Sequence, residues 1–236
     1  MIKHFIFLIL SITSTYIYSQ EISSPSSVYV ATRCTIEDGY SMTDVVAELR
    51  ANDIDGPLRA FVRQPISSLD MAENEFMRIV VWENMEDWTE NASTASNTET
   101  HRCANAQRRF FTNRRVGTNS TAYEDGVSLV TTMRCDLRKG TNISDVYNNL
   151  NRNQLSREQN GDTSILQFSH LLLGPSPEVD LRSSIVIRRV GATELSLARS
   201  LDMLWEGDLS IGTPANAPAI QCRNPTLWRS YQVSDS

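Results

Sequence analysis

Alternating apolar and polar positions, interrupted by glycine, proline and polar clusters, divide this chain into short strands and amphipathic helices. The same order of elements occurs twice. Val28 to Cys34 reads as a strand, and Asp38-Gly39 marks the turn after it. Ser41 or Thr43 can cap a helix running to Ala51, with Val45, Val46 and Leu49 on one face. Asp55-Gly56-Pro57 is a breaker, after which Leu58 to Ile66 and Phe76 to Glu83 read as two further strands. Met85 to Ser96 starts with acidic residues and carries Trp88 and Ala92 at helical spacing, and Gln107 to Thr112 follows Cys103 as a fourth strand. The second pass predicts strands over Val127–Asp136, Ser164–Leu173, Ser184–Val190 and Leu227–Val233. Its helices fall over Ile143–Asn153 and Thr193–Trp205.

The recurrence extends to individual residues. Aligned without a gap at an offset of 101, residues 33 to 53 share seven of 21 positions with the later stretch, among them Arg33/Arg134, Cys34/Cys135, Gly39/Gly140 and Asp44/Asp145. Unrelated stretches would share about one position in twenty, so an internal duplication is the simplest explanation. It divides the chain into a first module over 27–112, a linker over 113–125 rich in Asn, Thr, Ser and Gly, and a second module over 126–234. The loop from Gly207 to Ala219 has no counterpart in the first module.

The first nineteen residues have the order of a secretory signal peptide: Lys3 and His4, an apolar run from Phe5 to Leu10, then small and polar residues to Ser19. The run is too short to span a bilayer, which takes about 20 apolar residues. The expectation is a secreted or periplasmic protein with no stable membrane span. The chain carries a formal charge of −6 with no basic block, which argues against nucleic-acid binding.

Four cysteines in an exported chain imply two disulfides, and three pairings are possible. Cys103-Ala-Asn105 recurs as Cys222-Arg-Asn224, so each module holds one early and one late cysteine. The predicted bridges are therefore Cys34–Cys103 and Cys135–Cys222. Paired CxxC spacing is missing, so no metal site is expected.

Each module reads β-α-β-β-α-β, the ferredoxin-like order, in which the first and fourth strands are antiparallel neighbours. That adjacency would bring the end of the first strand, with its cysteine, beside the cysteine leading into the fourth. The fold class expected is α+β, with two tandem ferredoxin-like modules forming a pseudo-dimeric α+β barrel. The segment Phe76-Met-Arg-Ile-Val-Val-Trp82-Glu-Asn-Met-Glu-Asp-Trp88 resembles the corresponding part of the dimeric α+β barrel superfamily, which includes the antibiotic biosynthesis monooxygenase-like proteins. That resemblance implies a small cavity enclosed by sheets. It also implies that cofactor-independent or haem-degrading members would use Asn, Trp, His or Arg side chains facing it.

Candidate site residues follow from that implication: Trp82, Trp88, Arg59 and Arg63 in the first module and His170 in the second. Arg188 falls near the position equivalent to Trp82. A lone histidine in a strand is more often a hydrogen-bonded structural residue than a catalyst. His170 is the one candidate haem ligand, no CxxCH is present, and no cofactor is expected. His101 reads as part of a solvated loop. Arg33/Arg134 and Asn105/Asn224, which recur beside the cysteines, read as satisfying backbone groups around the disulfides. Nucleophile elbows, phosphate-binding loops and HExxH sequences are missing.

Two function classes remain. The first is an exported non-catalytic binding or structural protein with a cavity for a small apolar ligand. The second is a cofactor-independent oxygenase-type enzyme acting on an aromatic or polyketide-like substrate. An enclosed pocket holding His170, Trp82 or an arginine in a perturbed environment would favour the enzyme; a lumen filled by side chains would exclude it.

Overall fold

The computed structural model describes residues 27–52, 56–68, 70–92, 98–120, 123, 126–174, 183–206 and 220–235. The signal-peptide expectation over 1–19 and the loop over 207–219 lie outside them. The strands are β1 (Ser27–Ile36), β2 (Arg59–Ser67), β3 (Glu75–Trp82), β4 (His101–Cys103), β5 (Arg109–Val116), β6 (Val127–Leu137), β7 (Ile165–Leu173), β8 (Ser184–Val190), β9 (Ile220–Cys222) and β10 (Thr226–Asp235). The helices are α1 (Met42–Ala51), α2 (Met85–Asn91), α3 (Ile143–Gln159) and α4 (Glu194–Glu206).

Local sequence explains the helix boundaries. Ser41 starts α1 with a capping box: its hydroxyl accepts from the Asp44 amide while the Asp44 carboxylate accepts from the Ser41 amide at 2.8 Å. Met42, Val45, Val46 and Leu49 then form its buried face. Asn142 caps α3 more simply, its side-chain oxygen accepting from the Ser144 amide at 3.0 Å. The apolar pattern predicts that α3 ends near Asn153, yet it runs to Gln159. The extra turns are held by polar contacts: Glu158 accepts from the Thr118 and Asn119 amides, and buried Gln154 donates to the Ser164 carbonyl. A hydrophobic period cannot register a helix face buried through amides.

The eight long strands form a ring in the order β10-β2-β3-β1-β5-β7-β8-β6, closed by the pairing of β6 with β10. Every pairing is antiparallel. This corrects the expectation of α+β architecture in two tandem ferredoxin-like modules. The molecule is one closed eight-stranded β-barrel with helices on its outside. A free-standing four-stranded module would leave two sheet edges, each a row of unpaired backbone groups. Here β5 is zipped to β7 from Phe110↔Leu173 to Val116↔Leu166, and β10 to β2 from Leu227↔Ser67 to Asp235↔Arg59. The strands of the first and second halves are therefore continuous in a single sheet, and no edge remains in the ring. Strand β5 also runs to Val116, four residues into the segment expected to be a linker.

The short strands β4 and β9 lie off the ring. β4 sets Cys103 opposite Cys34 on β1, and β9 sets Cys222 opposite Cys135 on β6. Disulfides join both pairs. Alternation along the strands separates two apolar layers. Outward-facing side chains pack under the helices: Cys34, Ala60, Val62 and Phe76 meet α1, while Cys135, Leu166, Phe168 and Ile185 meet α3. Inward-facing Tyr29, Ala31, Phe61, Ile79, Phe111 and Leu171 form a separate cluster within the barrel.

Candidate functional site

The inward-facing side chains do not fill the barrel. They leave a partly open lumen of about 440 Å³, within the range of about 300–1,000 Å³ typical of small-molecule sites. Its walls are apolar and aromatic, contributed by Tyr29 and Ala31 of β1, Met77 and Ile79 of β3, Phe111 of β5, Leu171 of β7, Val186 of β8 and Trp228 of β10. The Trp228 indole is fixed by donating to the Thr226 hydroxyl at 2.8 Å. Tyr123, from the segment between β5 and β6, packs its ring on Phe61 with centroids 4.9 Å apart and donates to the Ser230 hydroxyl. Burial pushes the Tyr123 phenol above its ordinary pKa, so it is held as a neutral donor.

Two arginines enter this apolar space. Arg188 is 3% exposed, with its guanidinium 4.0 Å from the centroid of the Tyr29 ring and 5.2 Å from that of Phe111. It donates to the Ser169 hydroxyl, which in turn donates to Asn113 at 2.9 Å. Burial lowers the Arg188 pKa to about 10, still high enough to keep it charged at neutral pH. Arg63 is 5% exposed, donates to the Tyr29 hydroxyl at 2.7 Å, and leaves its Nε without a hydrogen-bond partner. Neither forms a salt bridge to a carboxylate among the described residues.

Four further arginines line the end of the lumen marked by the disulfides: Arg33, Arg109, Arg134 and Arg223. Arg33 is neutralised by Glu75, a contact that raises its pKa, and it also donates to the Asp70 carbonyl at 3.0 Å. Arg134 is shifted the other way, first by burial and then by the positive charges of Arg223 and Arg109. Asp70 is the only carboxylate among the described lining residues.

Of the five candidate site residues drawn from sequence, Arg63 alone lines the lumen; Arg33, Arg134, Asn224 and Arg188, noted on other grounds, line it too. Trp82 and Trp88 lie on the outer surface in the cluster under α2, where Trp88 meets Phe110 edge to face at 4.8 Å. Arg59 opens β2 opposite Val81 and Asp235 and is exposed, outside the lining set. His170 shares the outer face of β7 with Phe168, its ring 6.5 Å from that of Phe168, and burial and then Arg114 lower its pKa. Sequence reasoning missed Tyr29, Ser169, Asn113, Arg109 and Arg223. The period-two alternation that puts Tyr29, Ala31 and Arg33 on one face was the available signal.

His101 corrects the expectation of a solvated loop: it is 1% exposed, in β4, against the Phe76 ring. Its Nδ1 lies 3.0 Å from the Thr100 hydroxyl and 3.5 Å from Glu48. Burial, then the charge of Arg78, lowers its pKa despite Glu48. A histidine depressed in the folded state contributes its full stability above the unfolded value of about 6.5 and loses it as pH falls below that value toward the folded pKa. The stability of His101→Gln should therefore fall less than the parent's between pH 6.5 and 5, measured by urea midpoints. Parallel declines would show that His101 does not set this acid limb.

No known family and no curated protein matches the chain by sequence. Solved structures do resemble it in fold. A "putative monooxygenase" from Fusobacterium nucleatum subsp. nucleatum aligns at 6% identity with a TM-score of 0.54, covering 90% of this chain and 94% of that one. A "putative monooxygenase" from Lactobacillus acidophilus NCFM aligns at 7% identity and TM-score 0.48, over 89% and 95% of the two chains. An anthrone oxidase-like protein aligns at 8% and 0.49, over 89% and 94%. At these identities the likeness is one of fold, and the Fusobacterium structure carries it.

Proposed function

We propose that the protein binds a small molecule in its barrel lumen and performs no chemistry on it, in an oxidising compartment outside the cytoplasm. The observation that carries this reading is the lumen itself: apolar aromatic walls, two buried polar anchors and a volume suited to one small ligand. Two disulfides fit an oxidising compartment. No helix among the described residues is long and apolar enough to cross a membrane.

The oxygenase-type alternative draws on Arg188, an arginine in a perturbed environment of the kind that favours an enzyme, and on the monooxygenase description of the Fusobacterium structure. His170 and Trp82, the other residues that would favour it, are directed away from the lumen. Cofactor-independent oxygenation also needs a base to generate a substrate carbanion. The described lining holds no histidine and one carboxylate, the exposed Asp70. An enzyme would otherwise have to work through Asn224, Trp228 and the arginines, residue types the resemblance allows but which are donors rather than bases. Binding is therefore the better reading.

Native mass spectrometry of the chain purified from an exporting host should show a small-molecule adduct released on denaturation. Ala31→Leu, which narrows the lumen, should remove it. A parent chain that carries no adduct and takes up no member of a mixed panel of neutral and charged aromatic compounds would overturn the proposal.

A further inference from the structure

The lumen and the rest of the molecule carry opposite charge. The whole chain is acidic at −6, yet among the described residues six arginines line the cavity against one carboxylate, and Glu75 neutralises only Arg33. The deepest two are the most exceptional. Arg188 and Arg63 both lie over the Tyr29 ring, 4.0 and 5.5 Å from its centroid, so two buried cations share one small space. Removing a cation from water is costly unless an anion or a full set of acceptors replaces the hydration. Their acceptors among the described residues are neutral hydroxyls, those of Ser169, Tyr29 and Tyr123, and Arg63 Nε has none. Aromatic faces offset part of the cost but do not cancel the repulsion between two like charges.

On the premise that the lumen is the binding site, we infer that its occupant is an aromatic-bodied organic carboxylate. The carboxylate sits between Arg188 and Arg63, and the ring system lies against Phe111, Leu171 and Trp228. A guanidinium presents a planar fork of donors that matches a carboxylate in two-point contact, whereas a neutral ligand would leave both charges uncompensated. Arg109, Arg134 and Arg223 extend the positive potential to the disulfide end, where it raises the local concentration of anions. The apolar walls exclude a simple inorganic anion as the best partner, because such an ion would leave aromatic surface unused.

The test is calorimetric titration of the full chain with naphthoate, its neutral isostere naphthamide and inorganic phosphate. The expected result is that naphthoate binds about thirtyfold or more tightly than naphthamide, as charge-assisted contacts in a desolvated site require, and outcompetes phosphate. Arg188→Met should abolish the preference while changing naphthamide affinity little. Equal binding of the acid and the amide, or phosphate binding as well as naphthoate, would overturn the carboxylate inference and leave lumen binding standing. Failure of naphthoate and naphthamide both to bind would overturn the carboxylate inference, while lumen binding would still be decided by its own adduct and panel test. Unchanged naphthoate affinity in Arg188→Met would place the anion elsewhere and also overturn it. Should that variant fail to fold, the comparison of the two ligands on the parent chain decides by itself.

Discussion

Replacing Cys135 and Cys222 with serine should lower the unfolding free energy by about 4 kcal/mol, the loop-closure entropy expected for a bridge spanning this length of chain. The bonded residues are 87 apart in sequence. The Cys34–Cys103 bridge, with a separation of 69, should contribute nearly as much. Both act chiefly on the unfolded ensemble. In the folded state Cys34 already lies opposite Cys103, and Cys135 opposite Cys222, through strand pairing, so little native geometry depends on the bonds. Equilibrium urea unfolding of the double serine variant, with and without reductant on the parent, measures the effect. A loss below about 1 kcal/mol would mean that the reduced unfolded chain is already constrained.

The other large effect has the opposite sign. Arg188→Met should make the protein about 1–3 kcal/mol more stable while it loses its anion site. Burying a cation without a counter-charge costs several kcal/mol even after relaxation. The Tyr29 and Phe111 faces return about 2 kcal/mol in a desolvated setting. Methionine is unbranched, fits irregular apolar space and brings no charge. Ser169 would not be orphaned, since its hydroxyl still donates to Asn113. A stability gain accompanied by functional loss is the mark of a residue retained for binding. A lower urea midpoint in Arg188→Met would instead mean that the fold itself satisfies this guanidinium, and the case for a bound anion would lose its main support.

Much of the secondary structure can be read from residue alternation, and the pairing of the cysteines from the internal repeat. β1 follows from Val28-Tyr29-Val30-Ala31, and α1 from Ser41 and the spacing of Val45 and Leu49. Two kinds of information were missing. Helix α3 continues past Asn153 on Gln154 and Glu158, whose burial and contacts are polar and leave no hydrophobic period. Barrel closure depends on pairs such as Tyr231↔Val62 and Phe111↔Leu171, distant in sequence and invisible to local patterning. The site was hidden for the same reason. Arg63 and Arg188 look like ordinary polar positions in strands until closure places both over Tyr29. Trp82 and Trp88 were candidates because the resemblance implies tryptophans facing a cavity, but they pack under α2. His101 precedes Cys103 in a polar stretch, and its burial follows from the pairing of β4 with Ile36 of β1 and from the Phe76 ring.

The ring also fixes when the lumen can exist. Strand β10 is seated between β2 and β6, so contacts such as Gln64 with Tyr231 bridge 167 residues of intervening chain. Until β10 arrives, β2 and β6 each present an unsatisfied edge and the aromatic interior is open to water. A topology so dominated by distant pairings folds slowly, and the waiting intermediate is the species most exposed to aggregation. Ligand affinity and resistance to misassembly thus depend on the same late event, the docking of one strand.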